Sequence, residues 1–161
     1  MDLASSTIFI SESSEPDVME RPPRKQQKFL SWDVGKRILR NTAGLATAIL
    51  AVYLYLMLTN MPLAAARTAA FSTWLLGHII LALNLKQEKK PLLKQGLLSN
   101  KFAIGWLVGM VLLVIGMTQW GWLQTVLGTT DLSSVHWILV IAGAIAASSW
   151  LEIRKWIRFS D

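Results

Sequence analysis

Few side chains in the hydrophobic runs of this sequence could take part in chemistry near neutral pH, and His78 is the most deeply placed. It lies within Ala64–Leu85, eleven residues after Arg67. At 1.5 Å per residue, about 20 apolar residues cross the roughly 30 Å hydrocarbon layer of a bilayer. With Arg67 near one face of the membrane, His78 lies well inside, where an imidazole needs a polar partner. We therefore expect this helix to face other protein, and His78 is a candidate for lining an ion path.

Other signs of chemistry are absent from the sequence. It contains no cysteine and no glycine-rich phosphate-binding, HExxH zinc or GxSxG nucleophile pattern. Acidic residues are missing from the interiors of the hydrophobic runs, where a cation-coupled carrier usually has a carboxylate. His136, beside Trp137, is expected to be an interfacial residue. The sequence thus predicts no catalytic residue, no cofactor and no metal site.

The composition points to a membrane protein whose hydrophobic runs position His78. Of the 161 residues, 53% are hydrophobic and 16% charged, and the mean hydropathy is +0.42. We predict an all-α membrane protein in which a polar, disordered cytoplasmic tail, residues 1–30, precedes a four-helix transmembrane domain, residues 31–161. Asn60-Met61-Pro62 ends the first span, and Trp120 and Trp122 mark the far end of the third. The predicted spans are 41–60, 64–85, 102–119 and 135–150.

Residues Trp32–Arg40 leave two interpretations open. They form either a short helix on the membrane surface or the first turns of the first span. On the surface, Trp32 would lie at headgroup depth and the basic side chains would reach lipid phosphates.

The distribution of positive charge predicts the topology. Fifteen of the sixteen Lys and Arg residues lie before the first span, between the second and third, or after the fourth. By the positive-inside rule these segments are cytoplasmic, so the spans form two antiparallel hairpins with both termini in the cytoplasm. Attraction to anionic membrane lipid then accounts for the net charge of +6, and no nucleic acid partner is predicted.

Small residues mark two helix-packing faces. Gly105 and Gly109 form a GxxxG pair in the third span, and Gly143 and Ala147 belong to a small-residue stripe in the fourth. Small side chains let helix backbones approach closely within lipid. These faces serve either packing within the chain or formation of a homo-oligomer.

Four groups of residues carry a resemblance to a known family: Pro16–Arg24; Ala66-Arg67-Thr68 with Phe71 and Ala82-Leu83-Asn84; Lys94–Asn100; and Leu127-Gly128-Thr129 with Leu132 and Trp137. The first resembles the cytoplasmic loop between the sixth and seventh transmembrane helices of P-type cation-transporting ATPases. The others resemble, in order, the eighth helix, the loop leading to the ninth and the approach to the tenth. The similarity covers Glu15 to Arg154 and agrees with the topology predicted from charge.

The resemblance implies a role without catalysis by this chain alone. A complete pump of this family carries Asp-Lys-Thr-Gly and Thr-Gly-Glu motifs and binds cations largely on its fourth to sixth helices, and this sequence contains none of these parts. The chain then resembles a membrane support segment in the plasma membrane, acting in trans with an ATPase chain that carries the catalytic domains, or a truncated remnant. The alternative is an autonomous small four-span protein, either an oligomeric scaffold or a weak His78-dependent carrier.

The resemblance also bears on His78. In calcium pumps of this family the eighth helix contributes an acidic side chain to the ion site, and counting from Arg67-Thr68 that position is His78. An imidazole is a poor ligand for calcium, which prefers oxygen. His78 is therefore either a proton-linked residue of the ion path or a buried histidine bonded to a neighbouring helix.

Overall fold

The computed structural model describes residues 32–86 and 101–160, and the regular structure in this part of the chain is helical. The predicted all-α fold class is confirmed for these residues. The predicted tail and the motifs Pro16–Arg24 and Lys94–Asn100 lie outside the described residues. The helices are α1 (Trp32–Leu58), α2 (Leu63–Lys86), α3 (Lys101–Gln119), α4 (Gly121–Leu127) and α5 (Ser134–Ser160).

Two helices are individually long and apolar enough to cross a membrane: α1 over Val34–Leu58 and α2 over Leu63–Asn84. The predicted third span, 102–119, ends where α3 ends, and its part Ile104–Gln119 meets the same criterion only together with Gly121–Leu127, which lies at 89° to it. The apolar part of α5, Ser134–Ser149, is shorter. The described residues thus contain two candidate spans, or three if the bent pair is one. Four spans with both termini in the cytoplasm stay a prediction.

The segment Trp32–Arg40 forms the first turns of α1 and not a separate helix. The 27 residues of α1 give a rod of about 40 Å, longer than the hydrocarbon layer. Its first turns are therefore expected to project into the headgroup region. There Nζ of Lys36 lies 5.3 Å from the centroid of the Trp32 ring, a cation–π arrangement.

The turn between α1 and α2 follows from the residues Asn60-Met61-Pro62. Asn60 adopts a positive φ of 57°, which ends α1 in a left-handed cap. The N–H of Met61 donates to the carbonyl of Leu56, and that of Asn60 donates to the carbonyl of Met57. These two bonds form a Schellman motif and satisfy carbonyls that the helix end would leave unpaired.

Helix α2 is central in the described bundle, because it packs against α1, α3 and α5. Glycines allow the closest approaches. A Cβ built on Gly77 of α2 would lie 2.6 Å from Cδ1 of Leu45 in α1, and one built on Gly143 of α5 would lie 2.8 Å from Cγ2 of Val52. Since lipid offers no hydrophobic drive for helix association, the stability of a membrane bundle depends on such close contact.

Helices α3 and α4 join at a sharp elbow centred on Trp120, whose backbone is extended (φ −101°, ψ 110°). The bend brings α4 back over the end of α3, and a Cβ built on Gly116 would lie 3.2 Å from Cδ1 of Leu123. Glycine at this position therefore makes room for the leucine. The part of the chain from Thr118 to Thr129 is called the elbow below.

Side-chain hydrogen bonds between α3 and the residues that follow it stabilise the elbow. Nε2 of Gln124 donates to the carbonyl of Thr118 at 2.7 Å, and the hydroxyl of Thr129 donates to the carbonyl of Met117. Gly128 has φ 64° and caps α4, and the N–H groups of Gly128 and Thr129 both donate to the carbonyl of Gln124. The elbow is thus a hydrogen-bonded unit in which orphaned carbonyls of both helices have partners.

Candidate functional site

His78 lies on the side of α2 that carries Trp74 and Leu75, and this side meets α3. Leu75 forms one buried cluster with Val114 and Met117 of α3, and Trp74 packs against it. The Trp74 and His78 rings have centroids 5.8 Å apart and are tilted by 59°. Because positions three and four apart share one face of a helix, His78 continues the face that α2 presents to α3. It is half-buried, as expected for a helix that faces protein.

Two nitrogen atoms on the facing sides of α2 and α3 are buried without a hydrogen-bond partner among the described residues. They are Nδ1 of His78 and Nε1 of Trp106. Trp106 lies four and eight residues before Met110 and Val114, both of which belong to the contact with α2. A buried polar atom without a partner costs about 1–3 kcal/mol, so these two atoms are either a source of instability or places where a further group binds.

Hydroxyl groups along α2 are buried but turned to their own helix. The hydroxyls of Thr68, Ser72 and Thr73 each donate at 2.8 Å to the carbonyl four residues earlier. Their protons are thereby satisfied inside the helix, and only oxygen lone pairs remain to accept further bonds. These three hydroxyls carry no charge. Among the described residues, no group of three or more His, Cys, Asp or Glu side chains could hold a metal ion.

One of these hydroxyls joins two distant motifs. Oγ1 of Thr68, whose proton goes to Ala64, accepts a hydrogen bond of 3.0 Å from the backbone N–H of Thr130. Leu132 and Ala66 belong to one buried cluster, against which Trp137 packs. The residues that resemble the start of the eighth helix therefore meet those that resemble the approach to the tenth.

The residues predicted to pack helices fall into two groups. Gly143 of α5 faces Val52 and Thr73, and Ala147 is buried beside Gly77. Gly105 and Gly109 of α3 are exposed, and no atom of the described residues would lie within 4 Å of a Cβ built on either. Gly143 and Ala147 thus pack within the chain, whereas Gly105 and Gly109 leave an open surface.

His136 lies at the start of α5. Its Nδ1 is 3.1 Å from the hydroxyl of Ser133, and the N–H of Trp137 donates to the carbonyl of Ser133. The imidazole is therefore engaged in the first turn of its own helix.

Sequence reasoning missed two features. Gly77 was not among the predicted packing residues, although Ala69, Thr73 and Gly77 repeat a small residue every four positions, which is the signal of a packing face. The Thr68 to Thr130 bond has no such signal, because it depends on the elbow returning the chain to α2.

The helices of the described residues and their apolar faces define a class: an all-helical, membrane-integral segment. The chain belongs to the family of cation transporting ATPases, C-terminus, whose model matches residues 1–157. It is also 28% identical over 154 residues to Calcium-transporting ATPase 1 of Schizosaccharomyces pombe. That match covers 91% of this chain and 16% of the S. pombe protein, so the chain spans less than a fifth of its relative. The suspected relationship to the C-terminal membrane segment of P-type cation ATPases is confirmed.

Proposed function

We propose that this chain is a membrane support segment of a cation-transporting ATPase and stabilises the transport domain of a chain that carries the catalytic domains. On its own it does not hydrolyse ATP. The observation that carries the proposal is the use of its buried polar groups: the hydroxyls of Thr68, Ser72 and Thr73 bond to their own helix. Such a segment holds helices together and leaves most of the binding of cations to other helices.

Purification of the tagged chain from its native membrane in mild detergent tests this proposal. The expected result is recovery, by mass spectrometry, of an ATPase chain with catalytic domains. Repeated recovery of the tagged chain without such a partner would contradict the proposal. A matched variant, Gly143→Leu, should weaken recovery, since Gly143 faces Val52 and Thr73 in the core and a larger side chain there disrupts the bundle.

We also propose that His78 contributes to the ion path of the assembled pump. Its support is the unpartnered Nδ1 at the contact between α2 and α3. In the assembled pump, His78→Leu should change the cation concentration that half-saturates ATP hydrolysis, whereas His78→Asn, which keeps a polar group near Nδ1, should change it less. Equal behaviour of both variants and the unmodified protein would exclude this role.

The proposed arrangement is four spans with both termini in the cytoplasm, in the plasma membrane. Its support is the charge distribution, since fifteen of sixteen Lys and Arg residues fall into three segments on one side. The chain has no cysteine, so single cysteines can report sidedness without background. Thr59→Cys should react with a membrane-impermeant maleimide from outside intact cells, and Gln87→Cys only after permeabilisation. The reverse pattern would refute the orientation.

The open surface at Gly105 and Gly109 favours one alternative, an autonomous small membrane protein that pairs with a second copy through α3. Both glycines are exposed in a helix whose other faces are apolar. A cross-linked dimer that Gly109→Leu abolishes would support this function. The control is Ala142→Leu on the exposed face of α5, which should leave the dimer intact. Loss of the dimer in both variants, or in neither, would argue against pairing through α3.

A further inference from the structure

We propose that the elbow is a membrane anchor: α4 lies along the surface of the bilayer and inserts Trp120, Trp122 and Val126 at the boundary between lipid headgroups and acyl chains. The proposal does not depend on association with an ATPase chain. It depends on the bend, the exposed side chains of the elbow and the depth at which the elbow is tied to α2.

The bend turns α4 across the membrane axis. The straight part of α3, Ile104–Gln119, is 16 residues long and spans about 24 Å, a few ångströms less than the hydrocarbon layer. Transmembrane helices lie within about 20° of the membrane normal on average. At 89° from α3, α4 therefore runs nearly parallel to the membrane plane at the level where α3 ends.

The two sides of α4 differ. Leu123 and Gln124 face the end of α3, where they meet Gly116 and Thr118. The opposite side is open: none of the residues of α4 is buried, and Trp122 is 66% exposed and Val126 61% exposed. Trp120, 64% exposed, adds a second indole with its ring centroid 6.4 Å from that of Trp122.

The depth of the elbow is fixed independently by Thr130. Its N–H bonds to Thr68, which directly follows Arg67, an exposed residue and the only cation between Arg40 and Lys86. An arginine at a helix end reaches headgroup phosphates. The chain that leaves α4 is therefore held at headgroup level, and α4 lies just beneath it.

The side chains of the elbow fit lipid at this depth. No charged residue occurs between Lys101 and Asp131. Tryptophan favours the interface because its ring is apolar and its N–H is polar, so each indole can insert among acyl chains and still donate to headgroup oxygens. A surface of two indoles and a valine, without charge, is suited to the lipid boundary.

Depth-dependent fluorescence quenching tests the proposal. The full-length Val126→Cys chain is labelled with bimane and reconstituted in phosphatidylcholine vesicles that carry a spin label near the top or near the end of the acyl chain. Quenching by the shallow label should be about twofold stronger than by the deep label, because interfacial helices insert about 5–10 Å. Leu112→Cys, in the exposed middle of α3, is the control and should show the reverse order.

Three other results would overturn the proposal. Quenching by aqueous iodide but by neither lipid label would mean that α4 lies in water. Protection from all quenchers would mean that protein, such as a second copy of the chain, covers α4. Finally, replacing both Trp120 and Trp122 by alanine should at least halve the shallow quenching while circular dichroism shows unchanged helix content. An unchanged quenching profile in that variant would show that the indoles do not anchor the elbow.

Discussion

Thr68 and Thr130 are 62 residues apart in the sequence, and a single hydrogen bond of 3.0 Å joins them, from the backbone N–H of Thr130 to the hydroxyl oxygen of Thr68. The same hydroxyl donates its proton to Ala64. Thr68 therefore uses both its donor and an acceptor site, and it ties the elbow and the start of α5 to the central helix. This bond joins the first turns of α2 to the segment between α4 and α5.

Replacing Thr68 by valine, which has nearly the same shape, should destabilise the bundle. Thr130 N–H would lose its partner at a half-buried position, and an unsatisfied donor in a membrane protein costs about 1 kcal/mol. The free energy of unfolding, measured by SDS titration in micelles with circular dichroism, is the readout. The control is Thr125→Val, because the exposed Thr125 bonds only to Gly121 of its own helix and should lose less than about 0.5 kcal/mol. Equal losses in both variants would mean that the bond to Thr130 contributes nothing.

Helix packing at Gly143 should be sensitive to a single methyl group. Gly143→Ala would bring the new Cβ to 2.8 Å from Val52 Cγ2 and 3.2 Å from Thr73 Cγ2. Both neighbours are β-branched and stiff, so the cost of overpacking, about 1–3 kcal/mol, should exceed the gain of about 1 kcal/mol in helix propensity.

Two matched variants test that explanation by the same unfolding titration. Gly77→Ala should cost less than Gly143→Ala, because its nearest neighbour is the flexible end of Leu45 at 2.6 Å. Gly109→Ala should be neutral or slightly stabilising, since no described atom lies within 4 Å of the new Cβ. A loss at Gly109 as large as that at Gly143 would show that space around the glycine is not the cause.

The sequence predicts the helices well and the elbow poorly, for physical reasons. Long apolar runs specify α1 and α2, and Asn60-Met61-Pro62 specifies the turn between them. Trp120 and Trp122 mark the end of α3, but no proline or charge marks the 89° turn into α4, where Leu123 packs against Gly116. Likewise, the environment of His78 depends on its contact with α3. The hydrophobic pattern of α2 could not predict this contact, because α2 is apolar on most sides.

The left-handed caps give a prediction about backbone conformation. Gly128 has φ 64° with open space around it, so the cost of Gly128→Ala should come from the backbone alone, about 1 kcal/mol. Gly128→Asn should cost less, since asparagine tolerates this conformation, as Asn60 does at φ 57°. Gly121→Ala is the control and should not destabilise, because Gly121 is helical with no close neighbour. Thermal unfolding in detergent measures all three, and a smaller loss for alanine than for asparagine at Gly128 would contradict the assignment.

His78 allows stability and function to be separated. If the histidine served mainly to hold α2 against a neighbouring helix, His78→Leu would remove a hydrogen bond and lower the free energy of unfolding by about 1–3 kcal/mol. Nδ1 has no partner among the described residues, and a leucine can keep the apolar contact with Trp74. We therefore expect His78→Leu to leave the unfolding free energy of the isolated chain unchanged or to raise it by up to about 1 kcal/mol. A loss greater than 1 kcal/mol in the SDS titration would assign His78 a structural role. If the His78→Leu chain is as stable as the unmodified chain or more stable, and the pump assembled with it responds differently to cations, then His78 is kept for function at the expense of stability.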